Sequence, residues 1–179
     1  MMEEIAIGFW WIWFCIFFSG YAIVYAIAHV LLKNKKWSNF IKTKVYPLLP
    51  LTYALVTTCF WIIILYESNF SFISKKVAHS SLAQMIIEWN LLGLLFWIPI
   101  LRKKNYISFI HSGLFFILPL IFVGKNIIRY GVLEREDIFN VLYIYTASAF
   151  IYAVVITILL LSKFLFLHLA STKHQHNLY

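Results

Sequence analysis

The 179-residue chain is 63% hydrophobic and only 12% charged, with a mean hydropathy of +0.83 and a net charge of +8. A soluble domain needs far more polar surface than this, and too little sequence lies outside the apolar stretches to form a separate soluble catalytic domain. Residues 1–179 are expected to form one transmembrane helical unit.

A membrane span needs about 20 residues at about 1.5 Å rise to cross about 30 Å of hydrocarbon. Five stretches meet that requirement: 5–32, 45–66, 82–101, 107–124 and 138–169. The expected fold is an all-α integral membrane protein, a bundle of five transmembrane helices.

The first stretch follows an acidic start, Met-Met-Glu-Glu, where a signal peptide needs basic residues, and its apolar run is too long for one. It is expected to stay in the protein as a tilted span. Trp10, Trp11 and Trp13 fall where amphipathic rings favour the headgroup boundary, and Trp37 and Trp61 fit the same anchoring role. Tyr21, Tyr25 and His29 recur every four residues and so share one helix face. His111, at a similar depth in the fourth stretch, joins them in a candidate polar face at the inner leaflet. Cys15 and Cys59 read as small buried thiols.

Pro47 and Pro50 occupy the first turns of the second stretch, where a missing amide is tolerated. Pro99 and Pro119 are placed to kink the third and fourth, leaving carbonyls that neighbouring helices must satisfy. The third stretch holds Glu88, the one carboxylate inside any span, with Gln84 four residues before it and Asn90 close by. A carboxylate there must face the bundle interior, be paired or be protonated. Lys125 and Arg129 are its expected partners, so Gln84, Glu88, Asn90, Lys125 and Arg129 form a candidate intramembrane polar site. In the fifth stretch Thr146, Ala149, Ala153 and Thr157 are small residues at spacings of three and four. They form a helix-packing face, within the bundle or between protomers.

Loop charge sets the orientation. Ten basic residues fall on one side: Lys33, Lys35, Lys36, Lys42, Lys44, Arg102, Lys103, Lys104, Lys163 and Lys173. Five fall on the other: Lys75, Lys76, Lys125, Arg129 and Arg135. Basic loops stay cytoplasmic, so the amino terminus is expected outside and the carboxyl terminus inside. The lipid bilayer and anionic headgroups at the cytoplasmic face are the expected partners, with a second copy or another membrane protein beyond them. Nucleic acid is not expected, because the basic segments are short and pinned to a membrane. The expected location is the cytoplasmic membrane of a bacterium.

No nucleophile–base arrangement, metal-ligand spacing or phosphate loop is present, so no catalytic residue, metal or cofactor is assigned. The first functional reading is a non-catalytic membrane component that scaffolds, anchors or regulates a larger complex. The alternative is a transporter or channel subunit for a small ion or proton, using Glu88 and the Tyr21–Tyr25–His29 face. A haem-binding electron carrier, ligated by His29 and His111, comes third. Single cysteines at positions 39 and 69, with Cys15 and Cys59 replaced, test the orientation. Position 69 is expected to label only from outside and position 39 only from the cytoplasm; the reverse pattern contradicts it.

Overall fold

The computed structural model describes residues 14–68, 81–131 and 135–176, and every regular element among them is helical. Four helical runs are long and apolar enough to cross a membrane: Phe14–Leu32, Lys35–Tyr66, Asn105–Lys125 and Arg135–Phe166. A shorter apolar run covers Met85–Trp97. Trp10, Trp11 and Trp13 lie outside the described residues.

Helix α1 (Gly20–Leu32) continues the helical turns at 14–18, and Ser19 bonds back to the Cys15 carbonyl through both its amide and its hydroxyl. Its buried residues include Phe14, Phe18, Tyr21, Tyr25 and Ala28, a stripe at spacings of four and three. The expected inner loop is itself helical. The chain reverses at 33–34, where Asn34 takes an extended backbone and its side chain accepts from the Lys36 amide at 3.0 Å. Helix α2 (Lys35–Phe40) then runs through a π turn (Ile41–Val45) and a 3₁₀ turn (Tyr46–Leu48) into α3 (Leu49–Ser68). The prolines explain that irregular passage. Pro50 has no amide for the Tyr46 carbonyl, so the Leu49 amide and the Asn105 side chain, at 3.0 Å, take that carbonyl instead.

The third apolar stretch is broken rather than straight. Helix α4 (Ser81–Leu91) tightens into a 3₁₀ segment (Leu92–Trp97), becomes extended at Ile98, and restarts as α5 (Pro99–Arg102). Pro99 drives its predecessor out of the helical region while itself suiting the first helical position. Helix α6 (Asn105–Tyr130) ends at Gly131, whose left-handed backbone lets its amide close on Ile127. Helix α7 (Arg135–His176) has 42 residues, about 63 Å at 1.5 Å per residue, twice the hydrocarbon thickness.

Contacts fix the direction of each helix. Phe18 meets Phe60, Tyr21 meets Tyr53 and Tyr25 meets Tyr46, so α1 and α3 are antiparallel. Asn105 beside Tyr46 and His111 beside Tyr53 make α3 and α6 parallel, with their starts at the same, lysine-rich end. The chain between 68 and 105 therefore returns the length of α3. The 3₁₀ segment that follows α4 runs along α3 in the opposite sense, with Gly93 at Thr57 and Phe96 at Tyr53. Gly20 lies at Ala149 and Tyr21 at Tyr152, so α7 is parallel to α1.

The core lies in layers along this axis. Phe14, Phe18, Phe60 and Phe115 form one, with centroids 4.8 to 6.3 Å apart. Tyr21, Tyr53 and Tyr152 form the next, at 4.6 to 6.3 Å. Tyr25, Tyr46 and Phe109 close the lysine-rich end. Each such pair contributes about 0.5–1.5 kcal/mol through geometry beyond area, which matters where lipid removes the usual hydrophobic drive. Trp61, expected at the headgroup boundary, is instead buried in this core because its face of α3 packs inward.

The tightest helix approach is Gly20 on α7. A Cβ there would run into the backbone of Ser148 and Ala149, and the Gly20 amide donates to Ser148 Oγ at 2.7 Å. Gly20→Ala is expected to destabilise the protein by about 1–3 kcal/mol, read as a lower unfolding temperature in detergent. An unchanged unfolding temperature would show that α1 and α7 do not meet there.

Candidate functional site

Polar side chains are costly in hydrocarbon, and here they gather in the middle of the bundle. Ser19, Tyr21, Thr52, Tyr53, Thr57, Asn90, Ser108, His111, Ser112, Ser148 and Tyr152 are all buried. Helix spacing accounts for much of this set, since Ser108, His111 or Ser112, and Phe115 share one face of α6, and Ser148, Tyr152 and Ile156 one face of α7.

Hydrogen bonds between helices join these groups in pairs. Tyr21 Oη and Ser108 Oγ lie 2.6 Å apart, linking α1 to α6. Tyr25 and Tyr46 hydroxyls are 2.5 Å apart at the lysine-rich end. Tyr53 Oη is 2.8 Å from His111 Nδ1, joining α3 to α6. His111 Nε2 lies 2.7 Å from the Trp89 carbonyl, while Trp89 Nε1 donates to the His111 carbonyl at 3.0 Å. Their rings stack at 5.1 Å, 7° from parallel. A carbonyl only accepts, so Nε2 carries a proton, and in the neutral ring Nδ1 accepts from the Tyr53 hydroxyl. His111 thus ties together α3, α4 and α6.

The prolines draw further bonds. Tyr145 Oη donates to the Phe116 carbonyl at 2.6 Å, in the turn that Pro119 interrupts. Trp97 Nε1 donates to Thr58 Oγ1 at 2.9 Å beside the break at Ile98. Trp89 and Trp97 are therefore clamps between helices.

The sequence-derived candidates differ in exposure. Tyr21 and Tyr25 are buried, but His29 is exposed. A four-residue step advances about 40° beyond a full turn, so by His29 the stripe has rotated about 80° off the interior. His29 and His111 do not meet, and both ring nitrogens of His111 are already engaged. Glu88 and Lys125 are exposed while Asn90 is buried. Two residues on a helix lie about 200° apart, so Glu88 and Asn90 occupy opposite faces. The side chains of Gln84 and Arg129 lie outside the described residues. On α7, Thr146, Ala153 and Thr157 are exposed, and Ala149 is half-buried where its backbone meets Gly20. Tyr53, Ser108 and Tyr152 were not singled out from the sequence. Their signal was their spacing with His111 and Ser148 on the inward faces of α3, α6 and α7.

Among the described residues no group of three or more histidine, cysteine, aspartate or glutamate side chains could hold a metal ion. Cys15 and Cys59 are free thiols, one buried and one exposed. The arrangement is a hydrogen-bonded brace, with hydroxyl, imidazole and indole groups as cross-links. No protein-family model matches this chain, and neither does any curated protein or solved structure.

Tyr53→Phe would leave His111 Nδ1 buried without its partner and is expected to cost about 1–2 kcal/mol of stability. The Tyr152 hydroxyl is buried with no partner among the described residues, so Tyr152→Phe should be neutral or stabilising. Thermal unfolding of both variants in one lipid mixture checks the contrast. Equal losses would contradict this assignment of the bonds.

Proposed function

We propose that this chain is a non-catalytic membrane component that scaffolds, anchors or regulates a larger complex. In this reading it crosses the membrane five times, with its amino terminus outside and its carboxyl terminus in the cytoplasm of a bacterium. The alternating helix directions support five crossings, and the ten-to-five basic asymmetry supports the orientation. Exposed Lys35, Lys36, Lys42 and Lys44, beside half-exposed Trp37 and Phe40, suit a segment held against anionic headgroups.

The observation that carries the proposal is α7. It turns Ser148, Tyr152 and Ile156 to the bundle, and most of its remaining surface faces away. By its register with α1, position 161 is level with Leu32, the last residue of α1. Beyond that level Phe164, Leu165 and Phe166 are exposed and apolar, after exposed Ser162 and Lys163. A helix that continues apolar past its own bundle fits a partner, either a second copy or another membrane protein. The reading as an ion or proton route has less support, because Glu88 and His29 are exposed and the inward Tyr21 and Tyr53 hydroxyls are bonded to Ser108 and His111.

Native electrophoresis of mildly solubilised membranes tests the proposal. The chain is expected in an assembly heavier than the monomer, broken by Phe164→Glu while the unfolding temperature holds. A monomer in native lipid, with proton flux through reconstituted liposomes that Tyr53→Phe abolishes, would overturn it in favour of transport.

A further inference from the structure

The end of the bundle where α2 lies carries charge of one sign. Lys33, Lys35, Lys36, Lys42 and Lys44 are all exposed there. Arg102, half-exposed, and Lys103 and Lys104, exposed, form a second basic turn just before α6. One hydrogen bond and two ring contacts hold these basic segments to the same end. Asn105, next to Lys104, donates to the carbonyl of Tyr46, two residues beyond Lys44, at 3.0 Å. The Tyr25 ring lies against both sides of that joint, 5.5 Å from Tyr46 and 4.8 Å from Phe109. Helix α7 touches the π turn, and by its register exposed Lys163 falls just past the level of Leu32.

Among the described residues no carboxylate stands at that end. Glu67 is at the far end of α3, and Glu136 and Asp137 are at the far end of α7. Glu88 adjoins Trp89, which bonds to His111, six residues on from Asn105. Like charges gathered in this way repel one another, so the fold concentrates at one end a cost that counter-charge from outside must offset.

The surroundings of these cations narrow what that counter-charge is. They follow the ends of several helices around the bundle: α1 and α2, the turn before α6, and α7. Among them Trp37 and Phe40, 48% and 45% exposed, meet edge-on at 6.5 Å, and the Lys36 ammonium lies 6.0 Å from the Trp37 ring. At a bilayer boundary such rings enter the acyl region while lysines reach up to phosphate. Free phosphate would meet the charge and leave the rings wet. An acidic protein segment would cover one side of the bundle. Anionic phospholipid supplies phosphate and apolar contact together, at one depth and on every side. We propose that this end is a collar for anionic phospholipid, whose headgroups bridge the 33–44 and 102–104 segments and hold the starts of α3 and α6 together; this rests on the membrane placement proposed above, not on the larger complex. The lipid is then a ligand of the native bundle. A ligand that binds only the assembled collar stabilises it by mass action.

The full chain in nanodiscs of phosphatidylcholine alone, or of equal parts phosphatidylcholine and phosphatidylglycerol, carries the test. At low salt the unfolding temperature is expected to be at least about 4 °C higher with phosphatidylglycerol, a gap that about 0.5 M salt narrows. Lys42→Gln, Lys44→Gln, Lys103→Gln and Lys104→Gln combined should remove most of the gap without lowering the unfolding temperature in phosphatidylcholine. Lys125→Gln, outside the collar, should keep it. A chain that enters neither nanodisc would overturn the membrane placement and the collar with it. A chain that enters both and unfolds at one temperature would overturn the collar alone. A gap unchanged in the four-lysine variant, or one that inorganic phosphate reproduces in phosphatidylcholine, would do the same.

Discussion

The Tyr53–His111–Trp89 linkage is the interaction on which the arrangement depends. Lipid tails are as apolar as the side chains that face them, so helices in a membrane gain little from hiding leucine. What holds them is close packing and polar groups with no better partner elsewhere. His111 meets this condition through both ring nitrogens and its backbone carbonyl, reaching α3 on one side and α4 on the other. Each bond is modest, about 0.6 kcal/mol on average for such pairs and up to about 1.7. The Tyr21–Ser108 and Tyr25–Tyr46 bonds add others at successive levels, and the aromatic layers fill the space between them.

The same constraint explains the irregular backbone. A proline or a 3₁₀ segment in hydrocarbon frees carbonyls that water cannot reach. Here the Tyr46 carbonyl, which Pro50 leaves without an amide, is met by Asn105, and Tyr145 bonds the Phe116 carbonyl in the turn before Pro119. The broken third stretch therefore does not float. Trp89 and Trp97 fasten it on either side of its 3₁₀ segment, and Gly93 lets it lie against Thr57. Irregular elements in this protein coincide with cross-links, and the cross-links define the core.

This logic also decides what could be read from the sequence. The apolar stretches and their helical nature were legible, because length alone separates a span from a loop. That Tyr21 and Tyr25 share one face followed from their four-residue spacing. Extending that face to His29 ignored the drift of a 3.6-residue helix over two further turns. Glu88 drew attention because its charge is rare in a span, yet among the described residues of that segment the buried polar one is Asn90, on the opposite face. In a soluble helix the polar face marks the outside. In this chain both faces are apolar, so the inward side shows only in scattered hydroxyls. The helical form of 35–44 was hidden for another reason: its lysines read as a loop, while the Asn34 cap and the π turn keep it wound.

Helices α3 and α6 are joined through Tyr53 and His111 rather than merely packed side by side. A double-mutant cycle on Tyr53→Phe and His111→Phe, with stability measured reversibly in bicelles, isolates that term. The losses are expected not to be additive, with a coupling of about 1 kcal/mol between the two sites. Additive losses would contradict it, and would mean that these two residues stabilise the bundle only through the space they fill.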